Sequence, residues 1–339
     1  MLRWLLLRIS TLLLTLLGVT FVTFVVLDRA PVDRAELEIA KASIEAPFTA
    51  AVQREEAVQR LRVQYGMVDA VTGEPLPVWR RYAAWLGNAL TLRLGGPGED
   101  HATIWRRIGA ALPVTLLIGG LAAALAVVLG MRVGVWLGRA VGRRRERLAS
   151  VLLLAGYGVP EFLLATLLQL LLCATWLHLL PSAGLRSPGA ENWSLPWQLG
   201  DFAMHLLLPV LVIAIGPFVT VTRFVRDAVA RAERAPFATC LHALGVDDDE
   251  VRGRLWRHGA TPVATLIGTM VPMLVSGSIV VESMFSLDGL GQLAFRALGE
   301  QQQSMIMALV LMTSVITLLS LLVSDLLHRA LDARVRLRT

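Results

Sequence analysis

Few side chains in this 339-residue chain are of a type that moves protons or holds metal ions from within an apolar run. They are His178, His205, Glu161, Glu282, Asp325 and several serines. A membrane-embedded protease would need a nucleophile beside a base, two facing aspartates, or a histidine-rich metal motif. The patterns Gly-x-Ser-x-Gly, His-Glu-x-x-His and Gly-x-x-x-x-Gly-Lys-Ser/Thr do not occur. The sequence therefore offers no catalytic, cofactor-binding or metal-binding set, and no P-loop to hold ATP. His178 and His205 lie at the ends of two different apolar runs, where a solvated interfacial imidazole competes with a ligand for a metal in transit. Cys173 falls in an apolar run and Cys240 in an arginine-rich loop, so the two are not expected to pair.

The segment from Arg223 to Thr261 carries more information. It reads as two short helices joined at a turn: Val225 to Ala235, then a helix started by Pro236 and ended by Gly245. Glycine is the usual residue after a helix end because it takes a left-handed conformation without steric cost. Asp247, Asp248, Asp249 and Glu250 then open a further helix that runs into Arg252, Arg254 and Arg257, charges placed to complement a helix dipole. A helix, a glycine hinge and another helix make a compact polar knob. Such a knob fits a cleft on a soluble partner; it is equally an ordinary solvated loop.

The elements that must position these residues are membrane spans. The chain is 55% hydrophobic and 17% charged, and its apolar residues gather into runs too long for a globular core. Crossing the hydrocarbon layer takes about 20 mostly apolar residues. Six stretches qualify, near 5–27, 112–137, 148–180, 202–222, 262–285 and 305–327. The third is interrupted at Gly158-Val159-Pro160, where proline removes a backbone donor and a kink is expected. The first run is longer than the core of a signal peptide and lacks a small-x-small site after it, so an uncleaved helix is expected. Glu282, Asp325 and Arg132 sit inside or near spans, where ionisable groups are costly. Arg132 can snorkel to the surface; Glu282 and Asp325 fit either a pairing role or a place beside a solute path. Gly119-Gly120 and Ser276-Gly277-Ser278 allow close approach of helices.

The formal charge of +6 rests on arginine, since Lys41 is the only lysine. No aromatic-interleaved basic stripe accompanies the arginines, which argues against nucleic acid. Instead they collect in alternate short loops, at 139–147, 223–257 and 329–338. Arginine is retained on the cytoplasmic side, so both termini are expected there. The expected division is a first transmembrane helix over 1–27, a periplasmic loop or cap over 28–107, and a core of five spans over 108–339 with a cytoplasmic loop at 223–261.

Several segments resemble the binding-protein-dependent permeases of the dipeptide, oligopeptide and nickel group. Phe237 to Val246 is similar to that group's Tyr-Val-Arg-Thr-Ala-Arg-Ala-Lys-Gly-Leu in its aromatic start, its glycine and the alanine two before it. Val280 to Gly291 resembles Val-Val-Glu-x-x-Phe-x-x-Pro-Gly-Leu-Gly, with Asp288 in place of the proline. Asp332-Ala333-Arg334-Val335-Arg336 resembles Asp-Pro-Arg-Ile/Val-Arg, and Arg107 to Thr115 resembles Arg-Leu-Pro-x-Thr, with Tyr82, Trp85 and Leu86 matching the aromatic run before it. The resemblance implies an all-α, six-span permease of the type I importer fold in a bacterial inner membrane, with no catalytic site of its own. It implies a second permease subunit, cytoplasmic ATP-binding-cassette ATPases and a periplasmic solute-binding protein as partners, besides membrane lipid. Ala243, Gly245, Val246, Asp247 and Glu250 would form the knob that docks on the ATPase, and Glu282 and Phe285 would lie near the outer end of the path. Peptides, nickel chelates and glutathione lie within the group's range. The competing readings are a membrane-embedded enzyme, which the missing residue pairs disfavour, and a non-transporting scaffold or receptor subunit that docks a cytoplasmic partner.

Overall fold

Long apolar runs become helices because a chain in hydrocarbon must satisfy every backbone N–H and C=O within itself. The computed structural model describes residues 2–29, 35–36, 39–40, 51–69, 72–95, 100–174, 177, 179–247, 250–251, 253 and 279–331. Among them there is no strand, only one isolated bridge between Val68 and Pro75. The helices are α1 (Leu2–Asp28), α2 (Ala51–Gln64), α3 (Val78–Leu90), α4 (His101–Gly138), α5 (Arg144–Gly158), α6 (Glu161–Gln169), α7 (Leu195–Glu233), α8 (Pro236–Ala243), α9 (Ile279–Met284), α10 (Leu290–Gly299) and α11 (Gln303–Leu331). Among the described residues, α1, α4, α7 and α11 are long and apolar enough to cross a membrane. A fifth span results if α5 and α6 are counted as one, bent by 94° at the predicted break. Pro160 caps the start of α6, and the helix closes in a π turn at Leu170–Ala174. Of the run expected as the next span, 262–285, only α9 lies within the described residues.

The chain divides into two compact units. The first comprises Met1–Gly109 with Arg296–Val315. Here α1 leaves Leu7, Leu14, Val22 and Val26 uncovered, as a lipid-facing helix does. Another edge is covered near its C-terminal end by α3. The Thr20 hydroxyl lies 2.8 Å from the Tyr82 hydroxyl, Phe21 and Phe24 meet the Tyr82 ring edge-on, and Trp85 stacks on it. Arg81 pairs with Asp28 at 2.5 Å. The aromatic run before α4 is thus the seam that joins α3 to α1. Ala35, Ile39 and Val58 form a small apolar cluster beside α2, in keeping with a loop poor in large apolar residues. Asp100 starts α4: its carboxylate accepts from the Thr103 hydroxyl at 2.8 Å and the Ala102 N–H at 3.0 Å. Those bonds hold its pKa below the ordinary aspartate value.

The second unit comprises Ala110–Phe295 with Ile316–Thr339. Among its described residues are two apolar clusters. One gathers Ile118, Ala165, Leu208, Val212, Val281, Phe285 and Leu287. The other gathers Val135, Val221, Val225, Val229 and Val251, with Leu241 and Val246 packed against it. The first helix expected in the polar loop, Val225 to Ala235, is not separate: α7 runs unbroken for 39 residues from Leu195 to Glu233. No glycine or proline interrupts it after Pro217, and its valine stripe stays buried down to Ala232. Burial continues, so the helix continues.

Candidate functional site

The knob is built on the end of α7. After Glu233 the chain turns into α8, and Gly245 follows it with φ +71°. Leu244 N–H reaches the Cys240 carbonyl and Val246 N–H reaches the Leu241 carbonyl at 3.1 Å. This is a Schellman closure: the left-handed glycine lets the next residue return to the last turn of the helix. The apolar contact that accompanies such closures is present, because Leu241 and Val246 both pack on the valine cluster of α7. Asp247 begins the next turn by accepting at its carbonyl from the Glu250 and Val251 N–H groups, each at 3.1 Å. Val251 is fully buried against Val225 and Val229. Ala243, Leu244, Gly245, Asp247 and Glu250 face outward, with Val246 half-buried. The result is a folded knob with an apolar root and a polar crown. The rest of the loop, 254–261, lies outside the described residues.

A feature the sequence reading passed over fixes the knob to the membrane helices. Gly130, Gly134 and Gly138 on α4 are spaced four apart, and they face Val221, Val225 and Val229 on α7, also four apart. A Cβ at Gly134 would fall 2.6 Å from the Val225 Cβ and 2.8 Å from the Thr222 carbonyl oxygen. At Gly138 the corresponding distances are 2.7 Å to Val229 and 2.8 Å to the Arg226 carbonyl oxygen. Backbone meets backbone here, as in small-xxx-small contacts of membrane helices. The Gly-x-x-x-Gly-x-x-x-Gly spacing was the available signal. Gly120, by contrast, meets nothing within 4 Å; Ser276-Gly277-Ser278 lies outside the described residues. Beside this seam, Glu146 of α5 is 6% exposed and accepts from Arg226 Nε and Nη2 at 2.9 and 2.7 Å.

Glu282 is 1% exposed, and its role is visible in its donors. The Thr115 hydroxyl donates to Oε1 at 2.9 Å, and the N–H groups of Gly291 and Gln292 donate to Oε2 at 2.7 and 3.2 Å. The Leu290 N–H in turn donates to the Thr115 hydroxyl oxygen at 2.8 Å. Helix α10 opens with three orphan N–H groups, and one carboxylate and one hydroxyl take all three. Any side chain at Gly289 or Gly291 would collide with Glu282, which is why glycines flank Leu290. Phe285, 2% exposed, sits in the adjoining core and accepts at its carbonyl from the Gly184 N–H at 2.8 Å. The segment 280–291 is therefore a capped helix start, locked from α4. Replacing Glu282 by alanine strands these buried donors and is expected to cost about 2–3 kcal/mol. Thr115→Val is expected to cost about 1–2 kcal/mol. The two should be non-additive in a double-mutant cycle read by thermal unfolding in detergent.

His205 is likewise structural. Its Nδ1 is 2.9 Å from the Asp201 carbonyl oxygen and 3.5 Å from the Asp201 carboxylate. That carboxylate accepts from the Ser187 hydroxyl at 2.6 Å and the Ser187 N–H at 2.8 Å. Serine, aspartate and histidine are assembled, but the carboxylate stands between the other two, so the imidazole has no access to the serine proton. The group clasps the preceding loop to the start of α7. His178 lies outside the described residues. Cys173 is buried, Cys240 is exposed, and both are free.

Residues 126–337 match the family described as binding-protein-dependent transport system inner membrane component. The chain is 32% identical, over 99% of both chains, to a protein of Brucella ovis provisionally named a peptide permease. It is 27% identical to the dipeptide transport system permease protein of Lactococcus lactis, over 99% of this chain and all of that one. It is also 31% identical to an oligopeptide transport system permease protein of Mycobacterium tuberculosis, over 77% of this chain and 81% of that one. The knob, the glycine seam and the capped start of α10 all fall within the matched segment. The chain belongs to the binding-protein-dependent transport system inner membrane component family, and it is a membrane-embedded permease subunit of such a system.

Proposed function

We propose that this chain forms one half of the path by which peptides enter a bacterial cell across its inner membrane. A second, non-identical permease would form the other half, and a periplasmic binding protein would deliver the solute. The single observation that carries the reading is the family match over 126–337, together with relatives of full length whose names specify peptides. Six spans would follow from apolar length, with 262–285 expected as the fifth, and both termini would lie in the cytoplasm by the arginine distribution. The outer loop 28–107 would then rest as a cap on the spans.

In this reading Ala243, Gly245, Val246, Asp247 and Glu250 dock on a cytoplasmic ATPase, and the chain supplies no nucleotide site of its own. ATP-driven closure of the ATPases is useful only if it shifts the permease between two states, and the knob is where that differential contact would be made. Glu282 and Phe285 would act at the outer end of the path by holding α10 in place behind its surface.

The topology is testable on the native thiols. A membrane-impermeant maleimide is expected to label Cys240 in inside-out vesicles and not in intact cells, while buried Cys173 stays unreactive. Labelling of Cys240 from outside would sink the proposal, since no ATPase could reach the knob. Transport itself is tested by restoring the chain to a deletion strain and following labelled dipeptides, longer peptides, nickel chelates and glutathione. Peptide uptake that needs both this chain and the ATPase is the expected result. A chain that binds the ATPase while no solute enters would be a scaffold instead.

A further inference from the structure

The face between α5 and α7 carries charge that the knob does not use. Two clefts of about 340 and 440 Å³ lie there, meeting at Arg223 and Asp227. Glu146, Arg147 and Arg226 line the first, and Tyr157, Phe224 and Arg231 line the second. Four guanidinium groups thus face two carboxylates, Glu146 and Asp227. Arg226 is committed to both carboxylates, at 2.7 and 2.6 Å. Among the described residues, Arg147, Arg223 and Arg231 have no side-chain hydrogen bond or ion pair. The clefts therefore hold a surplus of positive charge with unspent donors, the arrangement that captures phosphate groups.

Their surroundings define the rest of the ligand. Leu148, Val151, Leu152 and Leu154 leave α5 between 48% and 72% exposed, and Tyr157 and Phe224 are half uncovered. The basic mouth is thus continuous with an aliphatic face. A free polar solute would occupy the arginines and leave that face bare, whereas a molecule with an anionic head and hydrocarbon tails covers both. We propose that this face binds an anionic phospholipid of the inner leaflet, with its phosphodiester at Arg223. Arg147 draws it from one cleft and Arg231 from the other, and an acyl chain lies along Val151, Leu154 and Phe224. The Glu146–Arg226 pair holds the two helices at the separation the headgroup needs. The leaflet, though not the headgroup chemistry, rests on the cytoplasmic placement of the arginine-rich loops.

The test uses the full chain purified with its co-expressed partner subunits, equilibrated with mixed vesicles of phosphatidylglycerol and phosphatidylcholine. Native mass spectrometry then counts the lipids retained. Phosphatidylglycerol is expected to be retained about tenfold over phosphatidylcholine, and removing Arg223 or Arg231 should lower that preference about threefold each. R223Q and R223Q/R231Q are therefore expected to show graded loss. R234Q, just past the end of the same helix and outside both clefts, should behave as the parent does, and R223K should retain part of the preference. All these arginines are exposed, so the variants are expected to keep the parent's unfolding temperature. Equal retention of the two lipids, or a preference that survives in R223Q/R231Q, would overturn the proposal. Displacement of phosphatidylglycerol by inorganic phosphate alone would also overturn it, by marking a free-anion site. If retention follows the arginines while Cys240 labels from outside, the headgroup site stands and the assigned topology fails.

Discussion

Gly134→Leu is expected to prevent stable accumulation of the chain in the membrane. The seam between α4 and α7 has no space at this position: the nearest atoms to a new Cβ are a valine Cβ and a main-chain carbonyl, at 2.6 and 2.8 Å. Neither is the end of a flexible side chain, so relief requires the helices to part. Even Gly134→Ala is expected to cost about 1–3 kcal/mol, the usual range for forcing extra carbon into a packed interior. Leucine adds three further carbons at the same point. Fluorescence-detected size exclusion of a tagged chain measures the outcome, with Gly120→Leu as the control, because that glycine opens onto empty space. Equal yields for the two leucine variants would show that the seam is not tight.

Gly245→Pro is expected to abolish solute uptake while the chain still inserts and packs. Proline fixes φ near −65°, whereas the closure after α8 requires +71°. Val246 could then no longer return to the Leu241 carbonyl, and the crown of the knob would point elsewhere. Nothing lies within 4 Å of the Gly245 side-chain position, so the effect is purely one of backbone direction. That separates two milder variants. Gly245→Asn should keep most uptake, since asparagine tolerates the left-handed region. Gly245→Val should lose much of it. Uptake and solute-stimulated ATP hydrolysis are the readouts, with unfolding temperature as the check on packing. A Gly245→Pro chain that transports normally would remove the knob from the coupling mechanism.

Much of the architecture was legible in residue order because lipid imposes simple rules. Apolar length located the described spans, and Gly158-Val159-Pro160 located the bend, since proline leaves few alternatives. The glycine that ends α8 was legible for the same kind of reason: one residue type fits one backbone shape. What escaped the sequence depended on partners distant along the chain. The reading cut a separate helix at Val225 because the composition turns polar there, while the buried valine stripe continues on one face alone. Gly120 drew attention yet meets nothing within 4 Å, whereas Gly130, Gly134 and Gly138 make close contact where valines of α7 sit opposite. Glu282 looked like a group that must pair or line a path. Its donors are main-chain N–H groups nine and ten residues ahead and a threonine 167 residues back, and no local pattern announces them.

The unbroken length of α7 has a mechanical consequence. At 1.5 Å per residue its 39 residues span about 58 Å, against a hydrocarbon layer of about 30 Å. One end roots the knob and the other carries the Asp201 clasp on the loop before it. Pro209 and Pro217 each delete a rung of the helix ladder midway along it. In the proposed coupling the helix would therefore serve as a lever with a soft fulcrum: a stroke applied at the knob would travel toward the Asp201 clasp along a single element.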